Sequence, residues 1–458
     1  MPSVLVQDRL LHNRRVVVTA LLAGAAVCLF ALHQKLIDAA ALAQHAVGHG
    51  RDGVPMPPAF YLGLPYRVVD PMFAPPQWPH AALLALAVVE CALLAALYRA
   101  LRERVVSPAE RGVLAVAAFA MMFLALDARS VLGFDLYAYA GLAKLGVSHA
   151  YATPLAPFPG DFGAINRIWG LPMLPSPYGP LWVWLAHAVV GGARSLSDAL
   201  QLLRICALVP FVAIAAILRH RGIAFAAVFA LDPSMQILYV SNGHNDLAGV
   251  VLLLLALLVA AATPLAAMAL TVAAGLVKLP LAGCALLVFA GRGSLARRIA
   301  WVAVTLALVI AGSLLLGGPE YARELFVRLG YDNAQHGLST LTASVVRALV
   351  FALAVSASLV VFVRRRIWRS ASWTFAALSS TIYPWYLASG LPYALLERGT
   401  LAMFLVLFPA FAALLEFAFP HLGLGQLTML GVVVACVVQL ARRQLHPIDE
   451  PSPDAASS

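Results

Sequence analysis

Long apolar runs separated by short basic clusters constrain this chain more than any other feature of its sequence. The run Val250–Ala262, for example, contains no charged residue, and uncharged stretches of this kind are typical of membrane helices. The composition agrees, because 62% of the residues are hydrophobic and 11% are charged, whereas a soluble domain has about a quarter charged residues. The sequence therefore predicts an all-α polytopic protein whose partner is the lipid bilayer.

The net charge of +10 does not indicate a nucleic-acid partner. The basic residues stand in short clusters between apolar runs, and the strongest is Arg364–Arg366 with Arg369. Such clusters mark the cytoplasmic ends of membrane helices. They predict about 12 to 14 spans with both termini cytoplasmic, in a multi-pass protein of the cell (inner) membrane. We expect one membrane domain over residues 1–445 and a disordered tail over 446–458, which is rich in Pro, Asp and Ser.

The cysteines give no sign of a metal centre or of disulfides. All 5 fall within predicted spans, and no CxxC pair occurs. We expect no bound metal ion and no other cofactor.

The longest passage that cannot be a membrane span is Gly133–Trp182. It contains two acids, two basic residues, several prolines and many aromatic residues. The preceding span, at about 112–130, is predicted to end outside the cytoplasm because a basic cluster precedes it. This polar loop is therefore where we expect a polar substrate to bind.

The segment Pro180–Ala193 follows this loop and is apolar but short. It has about 14 residues, whereas a span needs about 20. If it crossed the membrane, the cluster Arg219–Arg221 would lie outside, against the positive-inside rule. We interpret it as an interfacial helix on the outer surface, with Trp182 and Trp184 at headgroup level and the return span at about 200–218.

In this topology four polar segments face the same exterior side. They are the Gly133–Trp182 loop, a corner at His244–Asp246, a loop over residues 317–340 and a corner at Pro384–Tyr386. The first carries Asp135, directly after a span. Asp135 could be a solvated or helix-capping residue, or it could be a general base, because sugar transfer to a hydroxyl needs a carboxylate that accepts the proton. Tyr139 would share its helix face.

The corner His244–Asn245–Asp246 also allows two interpretations. Asp246 is a good candidate for the N-cap of the next helix, which does not exclude substrate contact through His244. One His beside one Asp is weak support for a metal site.

Two cations and two aromatic residues complete the candidates. Lys278 stands in an apolar run and could bind an anion or reach the membrane surface. Arg347 is predicted about 10 Å inside a span, where an arginine favours a phosphate or carboxylate partner. Trp385 and Tyr386 could anchor the chain at the interface or contact a sugar.

Five short motifs, in this order, resemble those of polyprenyl-phosphate-mannose-dependent mannosyltransferases. They are Phe134–Tyr139 with Gly141, Gly146 and Tyr151; Pro177–Trp182; Gly243–Asp246; Val277–Pro280; and Pro384–Leu387. The chain is most similar to the bacterial α-1,6-mannosyltransferase group of the membrane-embedded GT-C class. It departs from the family pattern at Gly146–Tyr151, which reads GVSHAY where the family usually has Gly-x-Asp-Pro-Tyr.

The resemblance implies a GT-C-type fold with an inverting single displacement on the non-cytoplasmic side. It implies a polyprenyl-phosphate-linked sugar donor, a glycan or glycolipid acceptor, and Asp135 as the catalytic base. The substrate-binding candidates are Tyr139, Tyr178, His244, Asn245, Asp246, Lys278, Arg347, Trp385 and Tyr386.

A transporter or flippase of an anionic lipid-linked substrate is the alternative. Such a protein would also be polytopic and could use Lys278 and Arg347 for an anion. It predicts polar residues near the bilayer midplane and gates on both sides, whereas the motifs here concentrate on one face. The sequence therefore favours the enzyme.

Overall fold

The computed structural model describes residues 2–47, 77–102, 104–128, 135–152, 157–158, 160–163, 165–166, 175–290, 293–331, 359 and 362–363. Within these ranges the regular elements are helical and no strand occurs. Among the described residues, four helices are long and apolar enough to cross a membrane: Leu10–Leu36, Pro108–Asp127, Leu196–His220 and Leu295–Glu324. The predicted all-α polytopic membrane fold is confirmed. The expected number of about 12 to 14 spans also rests on residues outside these ranges.

Three helices pack together at the start of the chain: α1 (Pro2–Val47), α2 (Gln77–Leu101) and α3 (Pro108–Asp127). The start of α3 is fixed by a capping box, in which the Ser107 hydroxyl accepts from the Glu110 backbone N–H and the Glu110 carboxylate accepts from the Ser107 backbone N–H. The same carboxylate accepts a hydrogen bond from Thr19 of α1 at 3.0 Å and pairs with Arg104 at 2.6 Å. One buried acid thus joins the first and third helices.

Shorter elements follow: α4 (Asp135–Leu145), α5 (Val147–Ala150), a 3-10 turn (Gly160–Phe162) and α6 (Pro180–Val190). Helix α6 has 11 residues, so it is about 17 Å long and too short for a hydrocarbon core of about 30 Å. The short helix expected at Pro180–Ala193 is therefore present, and its place on the outer surface stays a prediction.

The next elements are α7 (Leu196–Arg221), α8 (Ile223–Ala230), α9 (Pro233–Met235) and a π-helical stretch (Gln236–Ser241). The sequence predicts a span over about 223–241. The chain bends by 56° between α8 and the segment Pro233–Ser241, so these residues form a broken span or a re-entrant loop. Pro233 begins the second segment, and the Asp232 carboxylate caps it by accepting from Met235 N–H at 3.0 Å.

Buried polar side chains from the first two helices hold this bend. Glu90 of α2 is fully buried and accepts a hydrogen bond from Ser234 N–H at 3.0 Å. Its other oxygen lies 3.4 Å from His33 Nδ1 of α1. Because Glu90 satisfies a backbone N–H that the bend exposes, it stabilises the broken helix in the apolar interior.

The last described elements are α10 (Asp246–Val259), α11 (Pro264–Val277), a 3-10 stretch (Leu279–Cys284), α12 (Ala285–Val288) and α13 (Leu295–Tyr331). Helices α10 and α11 have 14 residues each and pack against each other. Helix α13 is interrupted at Gly318, which has φ 71° and is followed by Pro319. The chain then resumes a helix, so the predicted loop over 317–340 is wrong for residues 319–331.

Cysteine labelling tests the predicted orientation of α7. Ser197 and His220 are both exposed near opposite ends of this 26-residue helix, about 35 Å apart. We expect Ser197→Cys to react with an impermeant thiol reagent in intact cells and His220→Cys to react only after the membrane is opened. Labelling of His220→Cys alone in intact cells would reverse the orientation.

Candidate active site

The centre of the site is the Asp135 carboxylate at the start of α4. Its Oδ1 accepts a hydrogen bond from the Tyr178 hydroxyl at 2.8 Å, and its Oδ2 lies 3.1 Å from His244 Nδ1. The Asp135 side chain is 21% exposed, whereas that of His244 is 1% exposed. The structure therefore brings three of the predicted site residues together, with the carboxylate accessible and the imidazole behind it.

Electrostatics keep this carboxylate ionised. Burial by itself raises the pKa of Asp135, but contact with the His244 imidazole, the Tyr178 hydrogen bond and the positive charge of Lys278 outweigh burial and hold the pKa below its ordinary value. Asp135 is therefore a carboxylate at neutral pH. A carboxylate is the protonation state that a general base needs.

Hydrogen bonds to the backbone of Tyr178 fix the position of this residue. The Tyr151 hydroxyl donates to the Tyr178 carbonyl at 2.8 Å, and the Ser176 hydroxyl accepts from the Tyr178 N–H at 3.2 Å. Ser176 N–H donates to the Ala150 carbonyl at 2.8 Å. Burial raises the pKa of Tyr151, so its hydroxyl stays protonated and remains a donor. The end of α5 thus positions the tyrosine that binds Asp135.

Two glycines explain why distant segments reach Asp135. Gly179 N–H donates to the Val277 carbonyl at 3.0 Å, and a Cβ at Gly179 would lie 2.1 Å from the Leu276 carbonyl oxygen. Gly243 has φ 59°, and a Cβ there would lie 2.5 Å from a methyl group of Leu136. Only glycine allows the two backbones to approach so closely at Gly179, and at Gly243 the positive φ favours glycine. These positions bring the Tyr178 segment against the end of α11, and the His244 corner against the start of α4.

Lys278 and Asp246 form an ion pair beside this centre. Asp246 begins α10 and Lys278 follows α11, and their charged atoms are 2.5 Å apart. The Asp246 side chain is 6% exposed and the Lys278 side chain is 16% exposed. The pair closes the end of the α10–α11 hairpin, and its lysine is near enough to Asp135 to stabilise the ionised carboxylate.

Tyr139 and Trp182 lie in the aromatic core next to the site. The Tyr139 ring packs edge-on against Tyr178, with centroids 4.6 Å apart, and against Trp182 at 5.2 Å. Trp182 is 8% exposed, whereas Trp184 is 53% exposed. The prediction that both tryptophans lie at headgroup level is therefore wrong for Trp182, because α4 covers that face of α6.

Asn245 lies between His244 and Asp246 and is 3% exposed. Neither its amide oxygen nor its amide nitrogen has a hydrogen-bond partner among the residues that the structure describes.

Arg204, in the first half of α7, also supports the site and is absent from the candidates that the sequence predicts. Its Nε donates to the Ser241 carbonyl at 2.9 Å and its Nη1 to the Leu126 carbonyl at 3.2 Å. It therefore ties the backbone before the His244 corner to the end of α3. The sequence could have indicated Arg204, because a lone arginine inside an apolar span needs polar partners.

The remaining candidates Arg347, Trp385 and Tyr386 lie outside the described residues. Within the described ranges no group of three His, Cys, Asp or Glu side chains is arranged to hold a metal ion.

Comparison with known protein families adds one finding. Residues 65–292, just under half of the chain, match the model of the MptA_B family, described as Alpha-(1->6)-mannopyranosyltransferase, N-terminal domain. This region is similar to the N-terminal domain of that mannosyltransferase family. The match supports a mannosyltransferase of this group and hence a glycosyltransferase enzyme. No curated protein and no solved structure matches the chain.

The matched region contains the whole site described above. Asp135, Tyr178, His244 and Lys278 all fall between residues 65 and 292. The motif Pro384–Leu387 lies beyond it.

Proposed function

We propose that this mannosyltransferase moves a sugar, most simply mannose, from a polyprenyl-phosphate donor to a hydroxyl of a glycan or glycolipid acceptor on the extracytoplasmic side of the membrane. The observation that carries the proposal is the Asp135 carboxylate, which is partly exposed, ionised, and held at both oxygens by Tyr178 and His244. The family match supports the sugar, and the apolar helices around the site suit a lipid-linked donor.

The proposed reaction uses Asp135 as the base and polyprenyl phosphate as the leaving group. The acceptor hydroxyl gives its proton to Asp135 as its oxygen forms a bond to the anomeric carbon, and the bond from that carbon to the phosphate oxygen breaks. A carboxylate has about four lone-pair sites, so Asp135 can accept this proton while Tyr178 and His244 stay bound. Polyprenyl phosphate leaves as an anion and needs little acid assistance. A single displacement of this kind inverts the anomeric centre.

The donor phosphate needs a cation, and Lys278 and Arg347 are the candidates that we propose for it. Lys278 is paired with Asp246, so its charge is shared between that carboxylate and any phosphate that binds beside it. Arg347 is proposed from its predicted depth in a span alone.

A transfer assay on the purified full-length protein tests the proposed function. We would supply polyprenyl-phosphate-[14C]mannose with candidate glycan and glycolipid acceptors, and a nucleotide-linked mannose in a parallel reaction. The expected result is label in the acceptor from the lipid donor only. Transfer from the nucleotide sugar alone would contradict the donor class. Movement of the lipid donor across vesicle membranes without a new glycosidic bond would instead favour the flippase.

Removing the Tyr178 hydroxyl should change the pH dependence of transfer. The hydrogen bond from Tyr178 favours the ionised form of Asp135, so its loss raises the pKa of that carboxyl. The base is present above this pKa and is lost as the pH falls through it. In Tyr178→Phe the acidic limb of the kcat/KM profile should therefore move to higher pH. The loss at neutral pH should stay well below the roughly hundredfold expected when the base itself is removed.

Tyr151→Phe is the matched control for this experiment. Its hydroxyl binds the Tyr178 carbonyl rather than Asp135, so the variant should lose some stability and keep the acidic limb in place. An acidic limb that is the same in Tyr178→Phe and the parent would show that the hydroxyl does not act on the base.

A further inference from the structure

We propose that Asn245 recognises hydroxyl groups of the transferred sugar and so determines which sugar the enzyme accepts. The inference rests on the proposed function, because it assigns a role within the same site. The Asn245 side chain is 3% exposed, and within the described part of the chain neither amide atom has a hydrogen-bond partner. Buried polar groups in folded proteins are paired in the great majority of cases, so this amide needs an explanation.

Helix capping does not explain it. Asn245 occupies the N-cap position of α10, where asparagine side chains commonly accept a hydrogen bond from the first turn. Here the side chain makes no capping bond. The Asn245 carbonyl accepts from Ala248 N–H at 3.0 Å, so the backbone alone begins the helix.

The neighbouring residues place Asn245 within the catalytic centre. His244 contacts the Asp135 carboxylate at 3.1 Å, and Asp246 pairs with Lys278. Asn245 is therefore covalently linked on one side to the residue behind the base and on the other to the residue that pairs with Lys278.

The chemistry of the free amide indicates what it would bind. A carboxamide offers a donor and an acceptor side by side. A phosphate at neutral pH offers mainly acceptors and would leave the amide oxygen unpaired. Adjacent sugar hydroxyls both donate and accept, so a polyol satisfies the whole group. Because the amide is enclosed in the structure, the side chains that cover it must move apart when the sugar binds.

A set of monodeoxy donors tests this role. We would compare kcat/KM for polyprenyl-phosphate-mannose with that for analogues lacking one ring hydroxyl each. Sites built to bind a substrate hydroxyl reject the analogue that lacks it strongly, and we expect a preference of at least about a hundredfold at one or two positions. In Asn245→Leu, which has a similar size and no polar atom, this preference should fall to within about fivefold.

Thermal stability distinguishes sugar recognition from a structural role. Asn242 is a matched control, because it is 1% exposed and its amide donates to the Ile237 carbonyl. Asn242→Leu leaves a buried carbonyl without this donor and should lower Tm. Asn245→Leu removes a group with no partner and should keep or raise Tm. A fall in Tm like that of Asn242→Leu, with the preference among deoxy donors unchanged, would overturn the proposal.

A binding measurement separates this inference from the proposed donor. Mannose 1-phosphate should raise the Tm of the parent and of Asp135→Asn but not that of Asn245→Leu. If this pattern appears while no polyprenyl-linked sugar is transferred, the donor assignment fails and the role of Asn245 stands. If Asn245→Leu responds to mannose 1-phosphate as the parent does, or the parent does not respond at all, the inference is wrong.

Discussion

Asp135→Asn should lower kcat by at least about a hundredfold, since general-base assistance typically contributes about 10² to 10⁴ in rate. The substitution keeps the size of the side chain and removes the charge that accepts the proton. The amide oxygen can still accept the hydrogen bond that the Tyr178 hydroxyl now gives to the carboxylate at 2.8 Å. The protein should therefore insert in the membrane and bind the donor normally. Single-turnover transfer from polyprenyl-phosphate-mannose measures the chemical step directly.

Asp161→Asn is the control in the same region of the chain. The Asp161 carboxylate accepts a hydrogen bond from Leu196 N–H at 2.6 Å, so it fixes the start of α7 rather than contacting Asp135. This variant should keep kcat within a few-fold. If Asp135→Asn also transfers sugar within a few-fold of the parent, the base lies elsewhere, and Asp246 is the next residue to test.

The sequence predicted the helical class and the identity of the main site residues, but not how they meet. Asp135 was recognisable because an acid directly after a span is unusual. Its contacts with Tyr178 and His244 join residues 43 and 109 positions away. They depend on a close backbone approach at Gly179 and on the positive φ of Gly243. A glycine in a sequence shows that something can approach closely. It does not show which segment does so.

The departures from the sequence predictions have equally specific causes. The bend between α8 and α9 has a local cause in Asp232–Pro233, whereas the apolar length of residues 223–241 indicates a span without showing that it bends. The loop over 317–340 was predicted to follow a span that ends at about 316. Gly318 and Pro319 only interrupt α13 there, because proline is well tolerated in the first turn of a helix. Trp182 was placed at the interface because a short isolated helix gives no indication of which face a neighbour covers.

The second large effect that we expect is a loss of stability when the Lys278–Asp246 ion pair is broken. Removing one partner of a buried ion pair leaves the other charge unpaired and typically destabilises a protein by about 3–5 kcal/mol. Lys278→Met should therefore lower Tm strongly, because the Asp246 side chain is only 6% exposed. Lys278→Met combined with Asp246→Asn removes both charges and should recover most of this loss.

The double variant separates the two roles that Lys278 can have. If the lysine only neutralises Asp246, restoring the stability should also restore transfer at every donor concentration. The alternative is that the lysine charge also binds the donor phosphate and stabilises the ionised Asp135. In that case the double variant should fold as well as the parent but show a donor KM raised by about tenfold or more. This magnitude follows because hydrogen bonds to charged groups contribute about 1.5–3 kcal/mol. The acidic limb of the double variant should also move to higher pH, because loss of the nearby positive charge raises the pKa of Asp135. A stable double variant with the parent's KM and pH profile would leave Lys278 a purely structural role and assign the phosphate to another cation, of which Arg347 is the first to test.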